Sequence, residues 1–228
     1  MARVLALSGW GQPHDALLAL VPGAVHGEYA HHTSVRDALR SIADMGQGCN
    51  TAIGWSLGGQ LLVRAIATGM LRPQLLVLIA APFQFVESKD LKIGMKRDKF
   101  DKFRDNYRNN PVRTLDKAHE LIIKGDSHEA QIRAHLARQD KSEALAQHWL
   151  EWLHLMDGFS CADLHLADFP PTLLVHGEGD VVVTPDQSQQ FAHAIPHAAL
   201  SLWPYTGHAP HWHDTVRLQA LIKEHAHV

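Results

Sequence analysis

The stretch Thr51-Ala52-Ile53-Gly54-Trp55-Ser56-Leu57-Gly58-Gly59 decides the fold. It opens as a β-type run, spells Gly-x-Ser-x-Gly over residues 54–58, and continues from Leu57 to Thr68 with apolar residues at helical spacing before Gly69. The order predicts a strand, a sharp turn with the serine at its apex, and a helix. A serine hydroxyl is a weak nucleophile, so acyl chemistry needs it where a base can reach it and where a helix amino terminus favours developing negative charge. The pentapeptide also arises by chance as a glycine-rich corner with an idle serine. Strand, turn and helix in register argue against that alternative.

Outward from this corner, short β-type runs alternate with helical patterns. Val4 to Leu7, Ala24 to Tyr29, Thr51 to Gly54 and Leu75 to Ala80 read as strands, with a helix capped by Thr33 or Ser34 running to about Met45. The same pattern resumes near Phe169: Thr172 to His176 and Ala199 to Trp203 as strands, Pro185 to Ala194 as a helix, and a terminal helix after Pro210. This is the signature of βαβ units, predicting an α/β fold with a mostly parallel central sheet and helices on both faces. Residues 83–168 differ. They show no convincing strand and several amphipathic helical stretches, with Leu145, Trp149, Trp152, Leu153 and Met156 on one face. The expected division is a core of 1–82 and 169–228 interrupted by a helical cap, 83–168. Lys89 to Lys141 holds fourteen Lys and Arg against nine Asp and Glu, so the insertion is the basic part of an acidic chain.

Partners for Ser56 are sought at the carboxyl ends of the other strands, where parallel sheets gather their sites. His208, in Thr206-Gly207-His208-Ala209-Pro210, has that position, with His211 and His213 as neighbouring rivals. A metal cluster of those three histidines is a weaker alternative, because no carboxylate or cysteine stands at suitable spacing and a serine needs no metal. Asp180, in His176-Gly177-Glu178-Gly179-Asp180, can orient the histidine; Glu178 reads as a solvated loop charge. The oxyanion hole needs two backbone N–H donors. Leu57 supplies one, and the loop Ser8-Gly9-Trp10-Gly11 supplies the other through Trp10.

Ser-Gly-Trp-Gly at 8–11, Gly-Trp-Ser-Leu-Gly-Gly at 54–59, the Gly-x-x-Asp loop with Pro185, and Gly-His-Ala-Pro at 207–210 resemble the pimeloyl-[acyl-carrier protein] methyl ester esterase family of biotin synthesis. The resemblance covers both sheet-forming regions well and the insertion loosely. It implies an α/β-hydrolase core with a V-shaped helical cap, and hydrolysis of the methyl ester of pimeloyl-acyl carrier protein to the free acid and methanol. Ser56, Asp180 and His208 would form the triad, and Trp10 and Leu57 the oxyanion hole. The family's cap arginines grip the carrier, and Val112 to Lys117 is similar to one such segment. That puts Arg113 and Lys117 forward for carrier binding, then Arg133 and Arg138. The sequence departs from the family at Ser8, where a histidine is usual, and its first strand begins without an opening hairpin.

Composition limits the remaining classes. The chain has 228 residues, 46% hydrophobic, which is one large domain's worth and too apolar for disorder. Its longest apolar runs are far short of the roughly 20 residues that span a bilayer, and the amino terminus reads as a strand, not a secretory signal. A cytoplasmic protein is expected, with no membrane partner. The net charge of −3 argues against nucleic acid, although eighteen histidines will make the chain basic in acid. Cys49 and Cys161 are too few and too far apart for a disulfide framework or zinc site, so reduced thiols, no metal and no cofactor are expected. A monomer is expected, with acyl carrier protein as its partner. Three other readings compete: a general short-chain carboxylesterase, a lyase of the menaquinone-synthesis type, and a non-catalytic receptor. The lyase wants an arginine cluster, whereas Arg3, Arg36, Arg40, Arg64 and Arg72 are scattered.

Overall fold

The computed structural model describes residues 3–138 and 143–226, with side chains from 148 onward in the second stretch. Strands β1 (Val4–Leu7), β2 (Val25–His26), β3 (Thr51–Trp55), β4 (Leu75–Ile79), β5 (Thr172–Gly177) and β6 (Ala198–Trp203) form one sheet in the order β2-β1-β3-β4-β5-β6. Every pairing among them is parallel. Side chains alternate between faces along each strand. Leu5, Leu7, Leu76, Leu78 and Leu174 join one apolar cluster with α1 (Val35–Met45), α2 (Leu57–Ala67) and α7 (Asp186–Ala194). Ala6, Ile53, Val77, Leu173 and Val175 join another with α8 (Pro210–His213) and α9 (Thr215–His225). Burial on both faces is why these strands are nearly continuously apolar.

Local chemistry sets several boundaries. Ser34, not Thr33, caps α1, accepting the Asp37 N–H at 3.1 Å, a cap worth about 1 kcal/mol. The second strand is two residues long where six were expected, because the chain leaves the sheet edge at Gly27 and turns Tyr29 inward. Its hydroxyl donates to the Ser8 carbonyl at 2.7 Å. The expected terminal helix is two helices. Asp214 breaks the run at φ −145°, ψ 84°, and its carboxylate caps α9 by accepting the Arg217 N–H at 2.9 Å.

Between β4 and β5 lie α3 (Arg97–Asn109), α4 (Pro111–Ile123), α5 (Glu129–Leu136) and α6 (Glu143–Met156). Asn110 and Pro111 separate the first two: Asn110 ends α3 and its side chain accepts the Arg113 N–H at 3.1 Å, while proline suits the first turn of α4. The face anticipated on α6 is buried at Trp149, Trp152, Leu153 and Met156; the side chain of Leu145 lies outside the described residues. Trp152 donates its indole N–H to the Ala30 carbonyl at 3.0 Å, and Trp10 to that of Trp149 at 2.9 Å. Both bonds tie α6 to the loops above the sheet. Cys49 and Cys161 are free and buried, and burial pushes the Cys161 thiol up to about 12. Among the described residues no helix is long and apolar enough to cross a membrane.

Candidate active site

Ser56 stands between β3 and α2 with φ 53° and ψ −123°. Such a backbone costs about 1–3 kcal/mol and persists only where its surroundings enforce it. Here the enforcement is backbone packing. A Cβ on Gly54 would lie 2.4 Å from the Gly59 Cα, and one on Gly58 would lie 2.4 Å from the Leu7 carbonyl oxygen. The Ser56 N–H is held by the Ile79 carbonyl at 2.9 Å. Strand, helix and the loop after β1 therefore meet at contact distance around one serine. Leu57 N–H, at the head of α2, and Trp10 N–H make no backbone hydrogen bond among the described residues, so both can donate to a ligand. Ser8 backs this loop through its carbonyl, which receives the Tyr29 hydroxyl.

The loops after β5 and β6 bring the other two groups together. His208 Nδ1 lies 2.7 Å from Asp180 Oδ2. The second carboxylate oxygen, Oδ1, accepts the N–H groups of Val182 at 2.8 Å and Val183 at 3.0 Å. Burial alone would raise the Asp180 carboxyl, but His208 and His176 outweigh it and hold it well below the usual carboxylate range. Asp180 is an anion there, and His208 Nδ1–H donates to it, which leaves Nε2 as the free base. Glu178 is exposed and plays no part. The indole N–H of Trp55 donates to the His208 carbonyl at 2.8 Å, so the residue before the serine fixes the histidine's backbone.

His176 is the residue that sequence reasoning missed. Its Nε2 lies 3.1 Å from Asp180 Oδ2 and 2.8 Å from the Val183 carbonyl, and its Nδ1 lies 2.6 Å from Ser188 Oγ. Nε2–H donates and Nδ1 accepts the Ser188 hydroxyl, giving Asp180 a second imidazole donor. The only signal available was its register: it lies near the end of β5, four residues before Asp180. The rivals of His208 go elsewhere. His211 is buried against Trp55, with ring centroids 4.5 Å apart, and neither ring nitrogen has a hydrogen-bond partner among the described residues. His213 turns to Asp126, with Nδ1 to Oδ1 at 2.8 Å.

Ser56 and His208 line the same cavity, of about 110 Å³, with Trp10, Phe103, Leu115 and Met156 among its apolar walls. It is narrow against the roughly 300–1,000 Å³ of drug-sized pockets. Helix α4 forms one wall. Its Leu115, Ala118, His119 and Ile122 face this cavity, while Arg113, Asp116, Lys117 and Glu120 border a surface pocket of about 420 Å³ that His119 also lines. Arg133 reaches the surface pocket too, paired with Glu120 (Nη2 to Oε2 3.0 Å). Arg138 is exposed and does not line it.

A serine strained at a strand-to-helix turn, in one cavity with a histidine oriented by a buried carboxylate, defines a hydrolase class, and the alpha/beta hydrolase family model matches residues 3–219. The chain belongs to that family. It is similar to the pimeloyl-[acyl-carrier protein] methyl ester esterase of Nitrosomonas europaea, 32% identical over 174 residues, which are 74% of this chain and 68% of that one. The protein of the same description from Xylella fastidiosa is 32% identical over 213 residues, 87% of this chain and 80% of its own. An esterase from Exiguobacterium antarcticum superposes with TM-score 0.84 at 14% identity, covering 100% of this chain and 92% of that one; at such identity the likeness is one of fold. The resemblance drawn from the motifs is borne out, and the protein is a carboxylic ester hydrolase.

Proposed function

We propose that the protein hydrolyses the methyl ester of pimeloyl-acyl carrier protein, with Ser56, His208 and Asp180 as its catalytic triad. Ser56 attacks the ester carbonyl while His208 Nε2 takes its proton. The N–H groups of Leu57 and Trp10 receive the negative oxygen of the tetrahedral intermediate. His208 returns the proton to departing methanol, then activates the water that releases the acid, and Asp180 stabilises the imidazolium in both halves. Residues 83–168 act as the cap, with α4 dividing the acyl slot from the carrier-facing surface. Arg113 and Lys117 meet the acidic carrier there; Arg133, neutralised by Glu120, and Arg138, outside the pocket, are secondary.

The observation that carries this reading is the 2.7 Å contact of His208 with the buried Asp180, made beside a cavity that also contains Ser56. The lyase alternative is disfavoured because no arginine lines that cavity among the described residues. The reading implies a cytoplasmic protein that needs no cofactor. Incubating it with the carrier-linked methyl ester should lower the product mass by one CH₂. An unchanged mass alongside turnover of short-chain esters would leave a general carboxylesterase.

A further inference from the structure

We propose that Asp126, His128 and His213 form a binding site for a divalent transition-metal ion of the zinc class, which clamps the turn between α4 and α5 to the segment that follows His208. One ligand atom from each residue lies within 4.8 Å of the other two. His213 Nδ1 is 2.8 Å from Asp126 Oδ1 and 3.1 Å from His128 Nδ1. A tetrahedral zinc ion with bonds of about 2.0–2.1 Å sets its ligand atoms about 3.3 Å apart, and the two contacts of His213 Nδ1 are within fractions of an ångström of that spacing. Two neutral imidazoles and a carboxylate are a borderline-soft donor set that suits zinc, cobalt, nickel or copper, and a water completes the fourth position.

A ring nitrogen carries at most one hydrogen, yet His213 Nδ1 is approached by both the Asp126 carboxylate and the His128 nitrogen. Only one of the two short contacts can therefore be a good hydrogen bond. A cation satisfies all three atoms. The carboxylate is also already oriented as a ligand needs to be: Oδ2 accepts the Gly207 N–H at 2.8 Å, and Oδ1 accepts the His128 N–H at 2.7 Å. The Asp126 side chain is fully buried, that of His213 is 11% exposed, and His128 is exposed, which gives the ion a route in.

The site is not part of the ester chemistry, since none of its three residues lines the cavity around Ser56. What it joins is the insertion and the core. Ser127 N–H donates to the Tyr205 carbonyl at 2.8 Å, and Gly207, bonded to Asp126, immediately precedes His208. The ion would close a loop of more than eighty residues, the separation of 128 from 213 being 85. Cross-links that close long loops restrict the unfolded chain most.

The test uses tag-free protein titrated with Co²⁺, which reports four-coordinate binding through visible d–d absorption, followed by displacement with Zn²⁺. The wild type should take up one equivalent with that spectrum, and Zn²⁺ should raise its melting temperature. His128→Ala, altered at an exposed position, should bind at least about tenfold more weakly and lose the thermal shift; Asp126→Asn should behave likewise. No d–d spectrum in the wild type would overturn the proposal, and so would an equal uptake and thermal shift in His128→Ala, which would assign the metal to others of the eighteen histidines.

Discussion

Ser56 has a backbone angle that side-chain-bearing residues avoid, φ 53°, and the packing that enforces it involves the backbone of Gly54, Gly58 and Gly59, not the hydroxyl. Ser56→Ala should therefore fold with an unchanged circular dichroism spectrum while losing about 10⁴-fold or more in kcat, and should no longer be labelled by a fluorophosphonate. Retained labelling would move the nucleophile elsewhere. His176 should have a different signature, because it acts through Asp180. Its Nε2 shares Oδ2 with His208, so removing it concentrates the carboxylate's charge on His208. In His176→Asn, kcat should fall with KM nearly unchanged, because the carboxylate that orients His208 loses one of its imidazole partners. An unchanged kcat in a variant that is only less stable would reduce His176 to a packing residue.

Helix α4 shows how one element can serve two surfaces, and where sequence legibility ends. Its apolar Leu115, Ala118 and Ile122 reach the cavity around Ser56, whereas Arg113 and Lys117, offset around the helix, reach the surface pocket. If the carrier docks as proposed, Arg113→Glu with Lys117→Glu should raise KM for carrier-linked substrate by at least about tenfold and leave p-nitrophenyl ester turnover within about twofold. Equal losses on both substrates would remove the docking role. The core elements were readable because each carries its own period: β4 is five buried apolar residues, and the serine turn has strand and helix signals on either side. The strand ends gave the addresses of Asp180 and His208 for the same reason. Contacts across long separations gave no such signal. Nothing near Tyr29 in the chain announces that it leaves the sheet to bond Ser8. Nor does any local pattern say that His213 pairs with Asp126, 87 residues away.

Over the whole molecule, eighteen histidines and a formal charge of −3 make acid the condition that tests the fold. Two buried groups act in different windows. Asp180 is depressed by its imidazole neighbours despite burial, so its contribution is complete above the ordinary carboxylate range near 3.9 and is lost only as pH falls towards its folded value; it is constant from pH 5 to 8. His211 is lowered well below 6.5, first by burial and then by His208 and His135. The unfolded chain therefore binds a proton at His211 that the folded chain refuses, and stability rises with pH below about 6.5. One such proton is worth about 1.4 kcal/mol per pH unit. Urea unfolding at pH 7.5 and 5.5 should show a loss of about 1 kcal/mol or more in the wild type on going to acid. His211→Asn places a non-titrating polar group between Trp55 and Trp212 and should lower stability at neutral pH while flattening that dependence. If the variant loses as much between the two pH values as the wild type, the acid sensitivity belongs to other histidines.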